Sequence, residues 1–234
     1  MNDKKFCFII CTNNAVMLEE CIHYLNHLIV PDGYETDLLT IEEASSMTRG
    51  YNEAMQATDA KYKIYMHQDV FVLNKFLLQD ILDIFASDEK IGMIGMVGYE
   101  RLSPSGVMWH EKYCGSLYIS RKKEVFVDYA SYRYQPELDG YTQVAVIDGL
   151  MMITCRDIEW DTEDIDGWDF YDVYQSMRFI DQGYKIVVPT QRHPWCLHDD
   201  GMVLNMVNYD KYRQKYFKRY KDKIGKTVQE LYAK

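Results

Sequence analysis

The first half of the chain alternates between continuous apolar runs and stretches with a helical period. Continuous runs predict strands at residues 6–11, 36–41, 62–66 and 91–97. Apolar residues that recur every three or four positions predict helices at 16–29, 45–57 and 76–85. Strands that alternate with helices are typical of an α/β fold, in which a mostly parallel central sheet has helices on both faces.

The pattern becomes looser after Gly98. Residues 99–115 predict a loop, and residues 143–155 predict one long apolar strand that is interrupted at Asp148 and Gly149. An amphipathic helix is predicted over 168–182, ended by Gly183 and followed by a last strand at 184–189. These elements extend the same α/β sheet.

The last part of the chain predicts a basic, aromatic helix. Tyr209, Tyr212, Tyr216 and Tyr220 follow helical steps, and residues 209–234 contain nine Lys or Arg against three Asp or Glu. This segment has a net charge of +6, whereas the preceding body has −16. We therefore divide the chain into a main domain, 1–204, and a C-terminal helical extension, 205–234.

Two interpretations of this extension remain open. The tyrosines pack on the main domain while the cations are solvated, or the helix lies on an anionic membrane surface with its rings at headgroup level. A peripheral membrane contact would bring the active site close to an acceptor carried on a lipid.

Composition narrows the class of protein. A hydrophobic fraction of 47% with 26% charged residues is typical of a soluble globular protein. The sequence contains no apolar stretch of the ~20 residues that a membrane span needs, and its first apolar run is too short for a signal peptide. The six cysteines form no Cys-x-x-Cys pair, as expected of reduced core residues, so we expect a cytoplasmic protein. The acidic body argues against nucleic-acid binding.

Short polar segments follow the first and third predicted strands. They are Thr12, Asn13 and Asn14 after the first strand, and His67, Gln68 and Asp69 after the third. Ligands of parallel sheets bind at the carboxyl ends of the strands. The sequence therefore predicts a binding site where these two segments meet.

The ordered motifs of residues 5–201 resemble those of the family-2 glycosyltransferases. The matching segments are 8–14 (FIICTNN), 48–54 (TRGYNEA), 66–70 (MHQDV), 148–149 (DG), 170–172 (FYD) and 196–198 (CLH). Within that family they are most similar to the branch related to a streptomycin-biosynthesis glycosyltransferase-like protein. The resemblance implies a GT-A, Rossmann-like fold, a nucleotide-diphosphate sugar as donor, and Mn²⁺ or Mg²⁺ as cofactor.

The resemblance places the metal at Asp69. The family motif has two Asp residues that flank one position, but here His67 occupies the first place and Gln68 the middle one. His198 occupies the closing-strand position and is either a second metal ligand or a hydrogen-bonded core histidine. The alternative for Asp69 is a helix N-cap before residues 71–78.

By the same resemblance, Asp172 is the general base that deprotonates the acceptor hydroxyl. Asp169 competes for this role, because on the predicted helix it would lie one turn earlier on about the same face. The structural alternative is that both carboxylates favour a helix N-terminus.

The donor-binding residues are predicted less sharply. Arg49 would pair with the diphosphate or form a surface salt bridge. Glu42 lies near the expected nucleoside position. Asp148 would be costly to bury without a partner, so we expect it to face the cleft. The full predicted donor set is Thr12, Asn13, Asn14, Glu42, Arg49, Asn52, His67, Gln68, Asp69, Asp148 and Gly149.

The sequence thus predicts an inverting, metal-dependent glycosyltransferase that acts on a sugar or lipid-linked acceptor. A GT-A-fold protein that binds nucleotide sugars without catalysis is the alternative, favoured by the altered acidic motif. A nucleotidyltransferase is disfavoured because residues 11–14 contain neither glycine nor a cation.

Overall fold

A computed structural model of the protein describes residues 1–121, 124–127, 140–199 and 206–233. The proposed domain boundary at 204/205 lies outside these residues. The helices are α1 (Ala15–Leu25), α2 (Met47–Ala57), α3 (Leu77–Ser87), α4 (Tyr171–Asp181), α5 (Met206–Arg219) and α6 (Val228–Tyr232). The strands are β1 (Asn2–Thr12), β2 (Glu35–Glu42), β3 (Ala60–His67), β4 (Val70–Val72), β5 (Ile91–Gly95), β6 (Val97–Tyr99), β7 (Tyr113–Gly115), β8 (Tyr118–Arg121), β9 (Glu124–Val127), β10 (Tyr141–Val144), β11 (Val146–Ile147), β12 (Met151–Thr154), β13 (Lys185–Pro189) and β14 (Cys196–His198).

A seven-stranded sheet in the order β10-β13-β5-β12-β3-β1-β2 forms the centre of the fold. β1 pairs in parallel with β2 and β3, and β5 pairs in parallel with β13. β12 runs antiparallel between β3 and β5, and β10 runs antiparallel to β13. Five of the seven strands therefore point in one direction, as the predicted mostly parallel sheet requires.

Helices cover both faces of this sheet. Alternate residues of each strand point to opposite faces, so one strand contributes side chains to two core clusters. In β1, Cys7 and Ile9 face a core cluster that includes residues of α2, α4 and α5. Phe6 and Phe8 face a second cluster with residues of α1 and α3. The predicted α/β layering is confirmed, and all six cysteines are buried and free.

Two predicted strands are wrong in their extent. The strand predicted at 91–97 is β5 and β6, since the chain leaves the main sheet at Met96, whose carbonyl accepts a hydrogen bond from the Gln191 side chain. The strand predicted at 143–155 is β10, β11 and β12, separated by Ala145 and by a turn at 148–150. Continuous apolar character hid these breaks because β5, β6, β11 and β12 are all buried, and β10 is partly buried.

Two small sheets lie beside the main one. β4, β14, β8 and β9 form a four-stranded sheet, and β11, β6 and β7 form a three-stranded sheet. β14 runs antiparallel to β4 with His198 opposite Val70. This pairing brings the closing histidine next to the segment that follows β3. The N-cap alternative for Asp69 is wrong, because Val70–Val72 is a strand.

Helix α4 begins three residues later than predicted. Its N-cap residue, Phe170, has a left-handed backbone with φ of 65°, so the regular helix starts at Tyr171. Asp169 therefore lies outside the helix, and the expectation that it shares a helical face with Asp172 is wrong. At the other end Gly183 has φ of 83°, which confirms the predicted glycine stop.

The C-terminal helix packs on α4. Tyr209, Tyr212, Tyr216 and Tyr220 are all buried, and the Tyr209 ring lies 4.7 Å from that of Phe170. The packing interpretation is confirmed for the tyrosines, and rings placed at headgroup level are excluded because they lie in the core. Its second part, that the cations are solvated, is wrong for those that form ion pairs. Cations of this segment bind body carboxylates: Lys211 and Lys215 bind Asp166, Arg219 binds Asp164, and Lys223 binds Asp181.

None of the helices in the described ranges has the length and apolar character needed to cross a bilayer.

Candidate active site

The turn after β1 is held by the side chain of Gln68. Its Oε1 accepts hydrogen bonds from the Thr12 hydroxyl at 2.7 Å and from the main-chain N–H groups of Asn13 and Asn14 at 3.1 and 3.0 Å. Its Nε2 donates to Asn13 Oδ1 at 2.7 Å, and Asn14 caps α1 by accepting from Met17 N–H. The two predicted polar segments therefore meet, with Gln68 joining them.

His67, Asp69 and His198 form a group in which one ligand atom from each lies within 4.8 Å of the others. Asp69 Oδ1 is 3.8 Å from His67 Nδ1 and 3.5 Å from His198 Nε2. The main chain reinforces the arrangement, since Asp199 N–H donates to the Asp69 carbonyl at 2.9 Å. Two imidazoles and one carboxylate form a donor set that suits a divalent transition metal.

Asp69 carries an unsatisfied polar atom that fits a cation. Its Oδ1 is buried, and no donor among the described residues makes a hydrogen bond to it. Burial acts to raise the pKa of this carboxyl, but the adjacent His198 and His67 outweigh burial and hold the pKa below its usual value. A buried, ionised oxygen that accepts no hydrogen bond is costly unless a positive charge completes its surroundings, so these residues fit a metal ion.

His67 is held by a tyrosine on its other side. Its Nε2 lies 2.5 Å from the Tyr171 hydroxyl, while its Nδ1 faces Asp69. Burial lowers the pKa of His67, and the neighbouring His198 lowers it further, although Asp69 opposes both. The neutral imidazole that results is the form that binds metals.

Tyr171 and Asp172 enclose the turn at Gly149. A Cβ atom on Gly149 would lie 2.2 Å from the Tyr171 hydroxyl oxygen and 2.5 Å from the adjacent ring carbon. On the other side, Gly149 N–H donates to Asp172 Oδ2 at 3.0 Å. Only glycine allows this approach, which explains the Asp-Gly pair that the sequence places here.

The electrostatics of Asp172 suit a base that works near neutral pH. Burial raises its pKa to about 7, assisted by the negative charge of Asp148 and opposed by hydrogen bonds from Val173 and Gly149 N–H. Each carboxylate oxygen retains a second lone pair beyond these two bonds. The Val173 bond at 2.8 Å also stabilises the first turn of α4, so Asp172 has the structural role proposed for it as well.

Asp169 lies in the segment that leads into α4. It is half-buried, and burial raises its pKa. The neighbouring Trp168 is 51% exposed, and Trp109 is 41% exposed with its ring 5.1 Å from that of Tyr209. Burial raises the pKa of Tyr209, and the charges of Asp172 and Asp169 raise it further, so Tyr209 lies within electrostatic reach of both carboxylates.

The remaining predicted donor residues lie elsewhere around the strand ends. Glu42 is exposed at the end of β2, opposite Thr12 in register. Arg49 is exposed on α2 and makes no salt bridge with another described residue, so the salt-bridge alternative is not realised in that part of the chain. Asn52 exchanges hydrogen bonds with the main chain of Trp160, which uses both ends of its amide. Asp148 is partly exposed, and its Oδ1 accepts from Leu150 N–H.

Sequence reasoning missed two features of this site. It placed His67 among the donor-binding residues only, whereas His67 Nδ1 lies 3.8 Å from Asp69 Oδ1 in the candidate metal group, and it gave Tyr171 only as part of the 170–172 motif. The substitution of His for Asp at position 67 was itself a signal, because imidazole is a good metal ligand. The Tyr171 contact joins residues 104 positions apart and left no local signal.

Residues 7–220 match the model of a family described as "Glycosyltransferase like family". The chain belongs to this family. The match includes every site residue named above and extends through α5. The narrower streptomycin-related branch suggested by the motifs is not resolved by this match. No curated protein matches the chain in sequence.

Solved structures share the fold of this glycosyltransferase-like protein. One is the mannosyltransferase PcManGT from Pyrobaculum calidifontis in complex with GDP-Man and Mn²⁺, similar over 98% of this chain and 69% of that chain, with 12% identity and a TM-score of 0.60. Another is S. aureus TarS, residues 1–349, similar over 93% of this chain and 73% of that chain, with 10% identity and a TM-score of 0.51. At these identities the likeness establishes the GT-A fold.

Proposed function

We propose that the protein transfers a sugar from a nucleotide diphosphate to an acceptor hydroxyl, with inversion at the anomeric carbon and with a divalent metal. The observation that carries the proposal is the contact series from Asp69 through His67, Tyr171 and Gly149 to Asp172. It places a candidate cation site and a candidate base in one connected centre.

His67, Asp69 and His198 would hold the metal. When bound, a divalent ion neutralises the negative charge that develops on the leaving diphosphate. The Mn²⁺ and GDP-Man bound by PcManGT support this assignment through the shared fold. Two imidazole nitrogens favour Mn²⁺ over Mg²⁺, which prefers an all-oxygen shell.

Asp172 would act as general base. The acceptor hydroxyl gives its proton to the carboxylate as its oxygen attacks the anomeric carbon from the face opposite the leaving phosphate. The backbone N–H groups of Gly149 and Val173 fix the orientation of the carboxylate throughout. A pKa of about 7 lets it accept and release a proton under mild conditions.

The donor would lie across the carboxyl ends of β1, β2 and β3. The hydrogen bonds of Gln68 give the Thr12–Asn14 turn a fixed shape. Glu42 lies beside this turn and would bind the nucleoside, and the exposed Arg49 would bind phosphate. Asp148 and Gly149 would border the transferred sugar. Asn52 is proposed to support α2 through Trp160 and not to contact the donor directly.

The exposed rings at the rim support a carbohydrate acceptor. Trp109 and Trp168 offer apolar faces for sugar C–H groups, and the half-buried Asp169 can accept hydrogen bonds from sugar hydroxyls. The acceptor sugar can be free or carried on a lipid. For a lipid carrier, membrane contact would use exposed cations such as Lys218 and Lys221, because the tyrosines of α5 are buried.

A thermal-shift panel tests donor and metal together. GDP, UDP and their sugars are each added with Mn²⁺, with Mg²⁺ or with neither, since a ligand that binds the folded state raises the Tm. We expect at least one nucleotide sugar to raise the Tm more strongly with Mn²⁺. No shift with any nucleotide sugar under any metal condition would overturn the proposal.

A nucleotide-sugar-binding protein without catalysis is the second candidate, favoured by the single carboxylate of the 67–69 segment. Turnover separates the two. A nucleotide sugar that binds tightly but releases no nucleotide diphosphate with glycoside or water as acceptor would support the binding protein.

A further inference from the structure

Tyr171 makes a contact that neither metal binding nor proton transfer requires by itself. Its hydroxyl lies 2.5 Å from His67 Nε2, the nitrogen that points away from Asp69. An imidazole ring that binds a metal through one nitrogen is usually oriented by a hydrogen bond at the other, and that bond also fixes the tautomer. For Nδ1 of His67 to face a cation, Nε2 must carry the proton and donate it to the Tyr171 oxygen.

The position of this hydroxyl is fixed by the same backbone that fixes Asp172. Phe170 adopts a left-handed conformation, and the two residues after it open α4. Tyr171 is 5% exposed, and its ring fills the space that a side chain at position 149 would need. Gly149 in turn donates its N–H to Asp172.

We propose that Tyr171 is a positioning residue that orients His67 for metal binding and couples the metal group to the Asp172 carboxylate. This inference rests on the proposed metal site. A shift of the Tyr171 ring changes the direction of the His67 ring and, through Gly149, the support of the base. The Tyr171 side chain thereby fixes the position of the metal group relative to the Asp172 carboxylate.

The test compares Tyr171→Phe with Tyr51→Phe. Tyr51 is a matched control, because its ring lies 6.0 Å from that of Tyr171 in the same buried cluster, yet its hydroxyl makes no hydrogen bond with any residue in the described ranges. Binding of Mn²⁺ alone is measured by the loss of the free-ion EPR signal. We expect Tyr171→Phe to weaken Mn²⁺ binding by about 10- to 100-fold, the usual range for a residue that orients a ligand, and Tyr51→Phe to bind as wild type does.

A double-mutant cycle keeps the inference falsifiable if Tyr171→Phe alters packing. In a His67→Asp background the tyrosine has no imidazole to orient, so Tyr171→Phe should leave Mn²⁺ affinity unchanged. An equal loss in both backgrounds would show a general packing effect and overturn the inference. The Tm without metal identifies any variant that fails to fold.

The two proposals fail in different ways. If wild type binds no Mn²⁺, the proposed metal site is wrong, and the role of Tyr171 is wrong with it. If wild type binds Mn²⁺ and Tyr171→Phe binds it equally well, only the positioning role is wrong.

Discussion

The main-chain N–H of Gly149 donates a hydrogen bond to Asp172 Oδ2 across 3.0 Å, which joins the Asp-Gly turn to the first turn of α4. The bond holds the carboxylate in place without neutralising it. Asp172 therefore combines a fixed direction with a pKa raised to about 7 by burial. Both properties lead to predictions about pH and about catalysis.

Asp172→Asn should bind donor normally and lose transfer by roughly 10²- to 10⁴-fold, because the amide keeps the shape but cannot take the proton. In wild type, transfer should rise with pH up to about 7 and then level off as the carboxylate becomes ionised. Rate against pH for both proteins checks this. Asp169→Asn is the control, and a larger loss there than at Asp172 would move the base to Asp169.

Asp172→Asn should also change the pH dependence of the free energy of unfolding. A carboxyl whose pKa is higher in the folded than in the unfolded state stabilises the fold below its unfolded pKa, and this stabilisation is lost as pH rises towards 7. The free energy of unfolding of Asp172→Asn relative to wild type should therefore increase between pH 5 and pH 8. The full shift corresponds to at most about 4 kcal/mol. Urea titrations at both pH values measure it, and an unchanged difference would refute the raised pKa.

Asp69→Ala should abolish the metal-dependent part of stabilisation by a nucleotide diphosphate and leave the fold intact, because none of the described residues donates a hydrogen bond to Asp69 Oδ1. His198→Ala should weaken the same effect. Asp199→Asn is the control, since it keeps the main-chain N–H that bonds to Asp69. An Asp69→Ala protein with the metal dependence of wild type would remove this residue from the site.

His67→Asp should broaden metal use. The variant replaces an imidazole with a carboxylate and so moves the donor set towards the oxygen ligands that Mg²⁺ prefers. We expect the ratio of the Mg²⁺ to Mn²⁺ dissociation constants to fall. His67→Ala, which supplies no ligand, should weaken the binding of both Mg²⁺ and Mn²⁺, and Mn²⁺ should still bind more tightly. An unchanged ratio in His67→Asp would exclude His67 as a ligand.

Removal of the chain after Asn208 should destabilise the whole protein, because four buried tyrosines leave the core. By contrast, Lys218→Glu with Lys221→Glu should leave the Tm nearly unchanged, since both side chains are exposed. This double variant suits a membrane test by co-sedimentation with anionic and neutral vesicles at low and high salt. Salt-sensitive pelleting of wild type that the variant loses would support a peripheral contact, and equal pelleting of both would contradict it.

The sequence predicted those parts of the fold that depend on local period. Apolar runs located β1, β2 and β3, and the motif order pointed to Asp69, His198 and Asp172. It failed where a buried chain changes direction, as at Met96, since apolar character is the same on both sides of the bend. It also failed at Phe170, because no local rule anticipates a left-handed phenylalanine. The position of Tyr171 depends on the backbone of Phe170, and so does the contact series from His67 to Asp172.

The left-handed turn at Phe170 has a consequence for the order in which the protein matures. Such a backbone costs about 1–3 kcal/mol in a residue with a side chain and persists only when its surroundings impose it. Those surroundings include Tyr209 and Tyr216 of α5, which pack against the Phe170 ring. During synthesis the sheet and α4 leave the ribosome before α5 does. The left-handed turn at Phe170, and with it the start of α4 at Tyr171, therefore has its full packing support only once α5 has docked.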